Sequence, residues 1–234
     1  SSMGNMNKVI PLAEESVALD RKAGNVTHLS ISLGILGVIY QILGEWEKSE
    51  HYYREALSNS QRIKDNQSIS NSLFYLGWLY FDKGEYAKAR EFFEKGYDVY
   101  GKAGWKLTQM SSSVFMIFVY TELGEIEKAN NLIDSLHKYA LEVKDKLLIA
   151  VADAARAMLF RAQKKWEESI EYFEKSVQEF EALNAGQWNM YNFAKYVLCE
   201  YARVHLERDH EGDREKARDL LNQALEIFQK MGAK

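Results

Sequence analysis

"LGWLYFDKGEYAKAREFFEK", residues 76–95, decides the fold. Leu73, Leu76, Gly77 and Tyr80 stand at i, i+3, i+4 and i+7, one stripe of an α-helix. Gly84 can close that helix in the left-handed conformation without Cβ strain. After it, Tyr86, Ala89, Phe93 and Gly96 form a second apolar stripe. Gly77, lacking a side chain, lets a neighbouring helix come close. The unit is a helical hairpin.

The hairpin recurs. Gly44, Gly84 and Gly124 are 40 residues apart. "LGVIYQILGEWEKSEHYY" (36–53) aligns with "LGWLYFDKGEYAKAREFF" (76–93), "MIFVYTELGEIEKANNLI" (116–133) and "RAMLFRAQKKWEESIEYF" (156–173) without a gap. A fifth copy, "YARVHLERDHEGDREKARDLL" (201–221), carries about three extra residues in its turn. One hairpin cannot bury both of its faces, so the copies must stack.

These columns resemble the tetratricopeptide (TPR) repeat, in a 40-residue variant, over roughly residues 26–232. The resemblance implies an all-α fold, a right-handed superhelical solenoid of stacked antiparallel helical hairpins. The expected division is a half-repeat at 11–25 and repeats at about 26–65, 66–105, 106–145, 146–186 and 187–232. Pro11 fits the first position of the half-repeat's helix. Residues 1–10 are read as disordered or tag-derived and set aside. Gly24, Gly104, Gly186 and Gly232 fit the residue just past each second helix. In "IKDN" (63–66) and "VKDK" (143–146), Asp65 and Asp145 are expected to cap the next helix instead. The chain opens halfway through a repeat and stops straight after a second helix, so attachment to further domains or end-to-end self-association is expected.

A net charge of −4 with interspersed signs gives no electrostatic case for nucleic acid or an anionic membrane. The longest apolar runs, such as 114–120, are too short to span a bilayer. The single Cys199 excludes an intramolecular disulfide and suits a reducing compartment, so the cytoplasm is the expected location.

Catalytic signatures are missing: no Gly-rich phosphate loop, HExxH, Cys-x-x-Cys or Gly-x-Ser-x-Gly occurs. His205 and His210, five residues apart across a helix end, make a poor metal pair. The run "ERDHEGDREKARD" (207–219) reads as a solvated turn and helix start. No enzyme activity, cofactor or metal is expected. The fourth copy departs from the pattern. Asp153 and Arg156 replace two apolar columns and form either an intrahelical ion pair or a polar anchor for a ligand carboxylate. Ser113 stands within reach of Asp153, and Lys164 replaces the turn glycine, so a differently shaped turn is expected there.

By resemblance to the TPR family, first helices line a concave surface that holds a peptide, with lining residues one place after the core stripe. The implied peptide-binding residues are Asn71, Phe74, Trp78, Phe81, Val114, Phe118, Met158, Arg161 and Arg203. Beside Leu73, Leu76 and Tyr80, the stripe Phe74, Trp78, Phe81 makes an apolar sector wider than one packing face needs. It is either an open binding wall or ordinary core covered by a tight superhelix or by the half-repeat at the N-terminus. The Lys and Asn of chaperone-binding TPR grooves are replaced by Gly34 and Val38, so that subclass is set aside. The expected function is a protein-interaction or scaffold module that binds a peptide or helical segment. The alternative is an effector-sensing domain of a larger signalling or transcription-control protein, by a weaker similarity to the TPR arrays of signalling ATPases, cyclases and transcriptional activators.

Overall fold

The computed structural model describes residues 3–183 and 187–231, and every regular element among them is a helix. The chain forms two compact units, one running to Val119 and the other spanning Tyr120–Met231. The first holds α1 (Met3–Ala23), α2 (Val26–Ile42), α3 (Trp46–Ile63), α4 (Asn66–Asp82), α5 (Tyr86–Lys102) and most of α6 (Lys106–Glu122). The second holds α7 (Ile126–Val143), α8 (Lys146–Ala162), α9 (Trp166–Ala182), α10 (Gln187–Phe193), a π-helical turn (Ala194–Leu198), α11 (Cys199–Arg208) and α12 (Asp213–Met231). Loops of two to four residues join most consecutive helices, which makes them antiparallel neighbours. The fold class is the all-α helical-hairpin solenoid.

Residues from Met3 onward, expected to be disordered or tag-derived, are helical, and Pro11 lies inside α1 rather than at its first position. Packing outweighs the backbone hydrogen bond that proline forgoes. Val17, with Ile10 and Ala13, packs into the cluster of Leu29, Leu33, Leu36, Tyr40 and Ala56. Ser32 Oγ donates to Asp20 at 2.6 Å, and Tyr40 OH donates to Glu14 at 3.0 Å.

The turns obey geometry more strictly than residue type. Gly84 takes φ +73°, its N–H donates to the Phe81 carbonyl, and Glu85 N–H donates to the Tyr80 carbonyl. That pair of bonds ends a helix on a left-handed residue. Lys164 takes φ +57°, with Lys164 and Lys165 N–H groups on the Arg161 and Phe160 carbonyls. The different turn expected at Lys164 does not occur; a lysine accepts the same conformation. Likewise Asp65 caps α4 through Gln67 and Ser68 N–H, and Asp145 caps α8 through Leu148 N–H. Yet the left-handed residue persists at Lys64 and Lys144, so the aspartates act in addition to it. Gly24 and Gly104 have the expected positive φ, whereas Gly186 and Gly232 lie outside the described residues. A left-handed side-chain residue is disfavoured, so Lys164→Gly is expected to stabilise the protein by about 1 kcal/mol. A raised urea midpoint with unchanged slope would register this; an unchanged or lowered midpoint would refute it.

The hairpin seam depends on one missing atom. A Cβ on Gly77 would lie 2.7 Å from the Phe93 ring, and Phe93 is fully buried. Overpacking of this kind costs about 1–3 kcal/mol, more than the roughly 1 kcal/mol that alanine gains in helix propensity. Gly77→Ala is therefore expected to lower the melting temperature, although glycine-to-alanine changes inside helices usually raise it.

One polar expectation in the fourth copy, the intrahelical ion pair, is corrected. Arg156 does not pair with Asp153; its guanidinium donates to Asn130 Oδ1 at 2.5 Å and to Asp134, both on α7. Asp153 instead faces His137 Nε2 at 3.9 Å, and burial pushes its carboxyl pKa up. Interhelix partners at full side-chain reach win over the neighbour three residues away. The Ser113 hydroxyl is taken by the Met110 carbonyl at 2.6 Å.

Candidate functional site

In the first unit the wide aromatic sector of α4 packs as core. Trp78 keeps 4% of its exposure and lies 6.2 Å, ring to ring, from Phe115 of α6. Phe81 lies 6.3 Å from Phe118, and Phe115 stacks on Phe93 at 5.7 Å. Phe74 is half-buried between Phe93 and Tyr100, and Asn71 accepts a hydrogen bond from Tyr100 OH. Val114 and Phe118 are buried as well. Of the two readings of this stripe, Trp78, Val114 and Phe118 take the core one, and aromatic rings on the successive first helices α4 and α6 meet one another. Gln41, on α2, is buried in a relay. Tyr53 OH donates to its carbonyl at 2.8 Å, and its amide donates to Asp82 at 2.8 Å.

In the second unit Met158 is buried, but Arg161 and Arg203 come together. Arg161, near the end of α8, is 6% exposed. Its Nη1 donates to Glu207 at 3.0 Å and its Nη2 to Glu122, the last residue of α6, at 3.0 Å. Glu200 Oε2 lies 3.6 Å from Arg161 Nη2 and 3.8 Å from Arg203 Nη1. Arg203 Nε donates to Glu207 at 2.8 Å, and its Nη1 lies 3.8 Å from Glu122. Burial pushes the Glu200 carboxyl pKa up, against the pull of Arg161 and Arg203.

Glu200, Arg203 and Glu207 stand at i, i+3 and i+7 on α11, one face of a helix. That spacing is readable in "CEYARVHLER" (199–208), but its partners on α6 and α8 are not. The cluster opens outward on α11. Arg203 keeps 47% of its side-chain exposure, and Leu206 beside it keeps 50%. The π-helical turn Ala194–Leu198 directly precedes this face; such turns hold an extra residue and rotate the helix beyond them.

The adjoining turn, expected to be a solvated run, holds a second polar centre. Asp213, at the start of α12, is buried. It accepts from Arg208 Nε at 2.9 Å and Nη2 at 2.7 Å, from the His210 N–H at 2.8 Å, and pairs with His205 Nδ1 at 2.6 Å. The Arg208 hydrogen bonds, then those of His205 and His210, hold its carboxyl well below the usual carboxylate range. His205 thus meets this carboxylate with its ring and His210 with its backbone N–H. Among the described residues no group of three His, Cys, Asp or Glu side chains could hold a metal ion, and no helix is long and apolar enough to cross a membrane.

Residues 28–102 match the family model described as tetratricopeptide repeat. No curated protein matches the chain. Among solved structures, BtubC (BKLC) from P. vanneervenii is similar at 19% identity and TM-score 0.68, over 98% of this chain and 93% of that one. A kinesin light chain-like protein of Podosopora anserina with nearly identical TPR-like repeats is similar at 16% identity and TM-score 0.60, over 78% and 90%. Aspartyl phosphate phosphatase F from Bacillus subtilis is similar at 14% identity and TM-score 0.75, over 99% of this chain but 57% of that one. At these identities the likeness concerns the fold.

Proposed function

We propose, from a chain whose residues 28–102 match the tetratricopeptide repeat, that this protein is a non-enzymatic interaction module that binds a protein partner. The observation that carries the reading is the outward face of α11. An exposed Leu206 stands there beside a half-exposed Arg203, over a buried ionic base. Arginine is enriched at binding interfaces, and Leu206 adds exposed apolar area beside it. The contact is a partner segment laid along α11, its apolar residue on Leu206 and its polar groups over the ionic cluster.

Affinity capture with wild type and Leu206→Glu tests this. Leu206 lies outside the ionic cluster, so the variant is expected to keep its helicity by circular dichroism. At least one partner held by wild type should fall tenfold or more. Equal recovery of every partner by both proteins would sink the α11 assignment.

A second reading, an effector-sensing array that controls an output domain, draws on the fold likeness to aspartyl phosphate phosphatase F, a longer chain. It uses the same face for a different partner. A small peptide that releases a captured protein from wild type would favour it.

A further inference from the structure

Resting on the reading that α11 presents a partner-binding face, we infer that the cluster of Glu122, Arg161, Glu200, Arg203 and Glu207 receives a cationic side chain, arginine or lysine, from the partner. Arg203 holds that place until the partner arrives.

The charges set the sign. Three carboxylates against two guanidinium groups leave one negative charge in surplus. The two arginines differ in how they are held. Arg161 sits at the base with charge-assisted hydrogen bonds to both Glu122 and Glu207. Arg203 stands at the mouth with one such bond, to Glu207, and two looser ion contacts at 3.8 Å. A half-exposed arginine can swing into water on its flexible stem and recover both hydration and rotamer freedom.

Independently, one acceptor points to a missing donor. Glu200 Oε2 is shielded from solvent and accepts no hydrogen bond among the described residues. Its two arginine contacts, at 3.6 and 3.8 Å, lie beyond hydrogen-bond distance. A buried carboxylate oxygen left this way is costly. An incoming guanidinium or ammonium that replaces Arg203 more deeply would supply the N–H, and Leu206 offers an apolar rest for its stem. Arg161 Nε is likewise buried without an acceptor, but Arg161 sits at the base, and a carboxylate ligand would meet three glutamates before reaching it. The sign of the recognised charge is therefore opposite to the one two converging arginines suggest.

The probes are blocked heptapeptide pools carrying an uncharged dye, with apolar and neutral polar residues around a central Arg, Lys, Gln or Glu. Binding is read by fluorescence anisotropy on the full chain. Wild type is expected to bind the Arg or Lys pool at least tenfold tighter than the Glu pool, with affinity falling as salt rises. Arg203→Gln vacates the place and should tighten the Arg pool threefold or more. Glu207→Gln should weaken it by a similar factor, with both variants matching wild type in circular dichroism. A wild-type preference for the Glu pool, weaker Arg-pool binding by Arg203→Gln, or no binding of any pool would each overturn the inference. If Leu206→Glu loses a captured partner while the pools show no charge preference, the cation site fails and the interaction face stands. If Leu206→Glu loses nothing, the face itself fails.

Discussion

Replacing Asp213 with alanine is expected to destabilise the protein by about 3–5 kcal/mol at neutral pH, the scale for breaking a buried pair from one side. The carboxylate accepts from both Arg208 nitrogens that face it, from the His210 backbone and from the His205 ring. Its removal leaves Arg208 and the buried His205 without their shared partner. Asp213→Asn keeps the volume and one acceptor, so it should cost less. Acid should erase the difference. The Asp213 carboxyl is held well below its ordinary value in the folded chain, so the unfolded chain binds the proton more readily. The stabilisation is fully present above the ordinary carboxylate value of about 4 and is lost as pH falls toward the folded-state value. Urea titrations at pH 7 and at progressively lower pH should show wild type and Asp213→Ala converging. A gap that stays constant with pH would mean the charge is not the source.

Arg161→Met should cost a similar amount, about 3–5 kcal/mol, for the mirror-image reason. It strands Glu122, Glu200 and Glu207 with Arg203 as their remaining cation within the cluster. Here acid should help. Burial already pushes the Glu200 carboxyl up, and Arg161 is the larger of the two charges that pull it down. Without Arg161 the folded state binds the Glu200 proton more tightly than the unfolded state does, so stability rises as pH falls through the raised folded value. The deficit of Arg161→Met should therefore shrink on mild acidification, before the Asp213 loss begins. Adding Glu200→Gln to Arg161→Met should recover part of the deficit at pH 7. If the double variant is no better than the single one, Glu200 is not the stranded charge.

The hairpins are legible because four copies share one register without a gap, and a 40-residue period leaves little freedom in where helices start and stop. The capping aspartates are legible for a local reason: Asp65 and Asp145 bond to N–H groups two or three residues away. The left-handed lysines are not. The conformation at Lys64, Lys144 and Lys164 is imposed by helix-ending bonds, and a lysine tolerates it without advertising it. The aromatic stripe on α4 is undecidable from pattern alone, since an open wall and a buried seam require the same residues at the same spacing. The meeting of Trp78 and Phe115 depends on how closely successive first helices lie. The ionic cluster is half legible. Arg161 and Arg203 fall on lining positions, but their neutralising carboxylates come from α6 and from a face of α11 reached through a π-helical turn. An extra residue inside a helix shifts the face without leaving a compositional mark.

The glycine opposite Phe93 also limits how such a chain can be rearranged. Copies related by duplication invite the exchange of one helix for its counterpart, yet the position of Gly77 is occupied by Ala157 in the fourth copy. Seating α8 where α4 lies would thrust a methyl group to about 2.7 Å from the ring, if the backbone followed the same path. Modules trade safely as whole hairpins, each bringing its own matched knob and hollow, and shuffling at finer grain would join halves that were never shaped together.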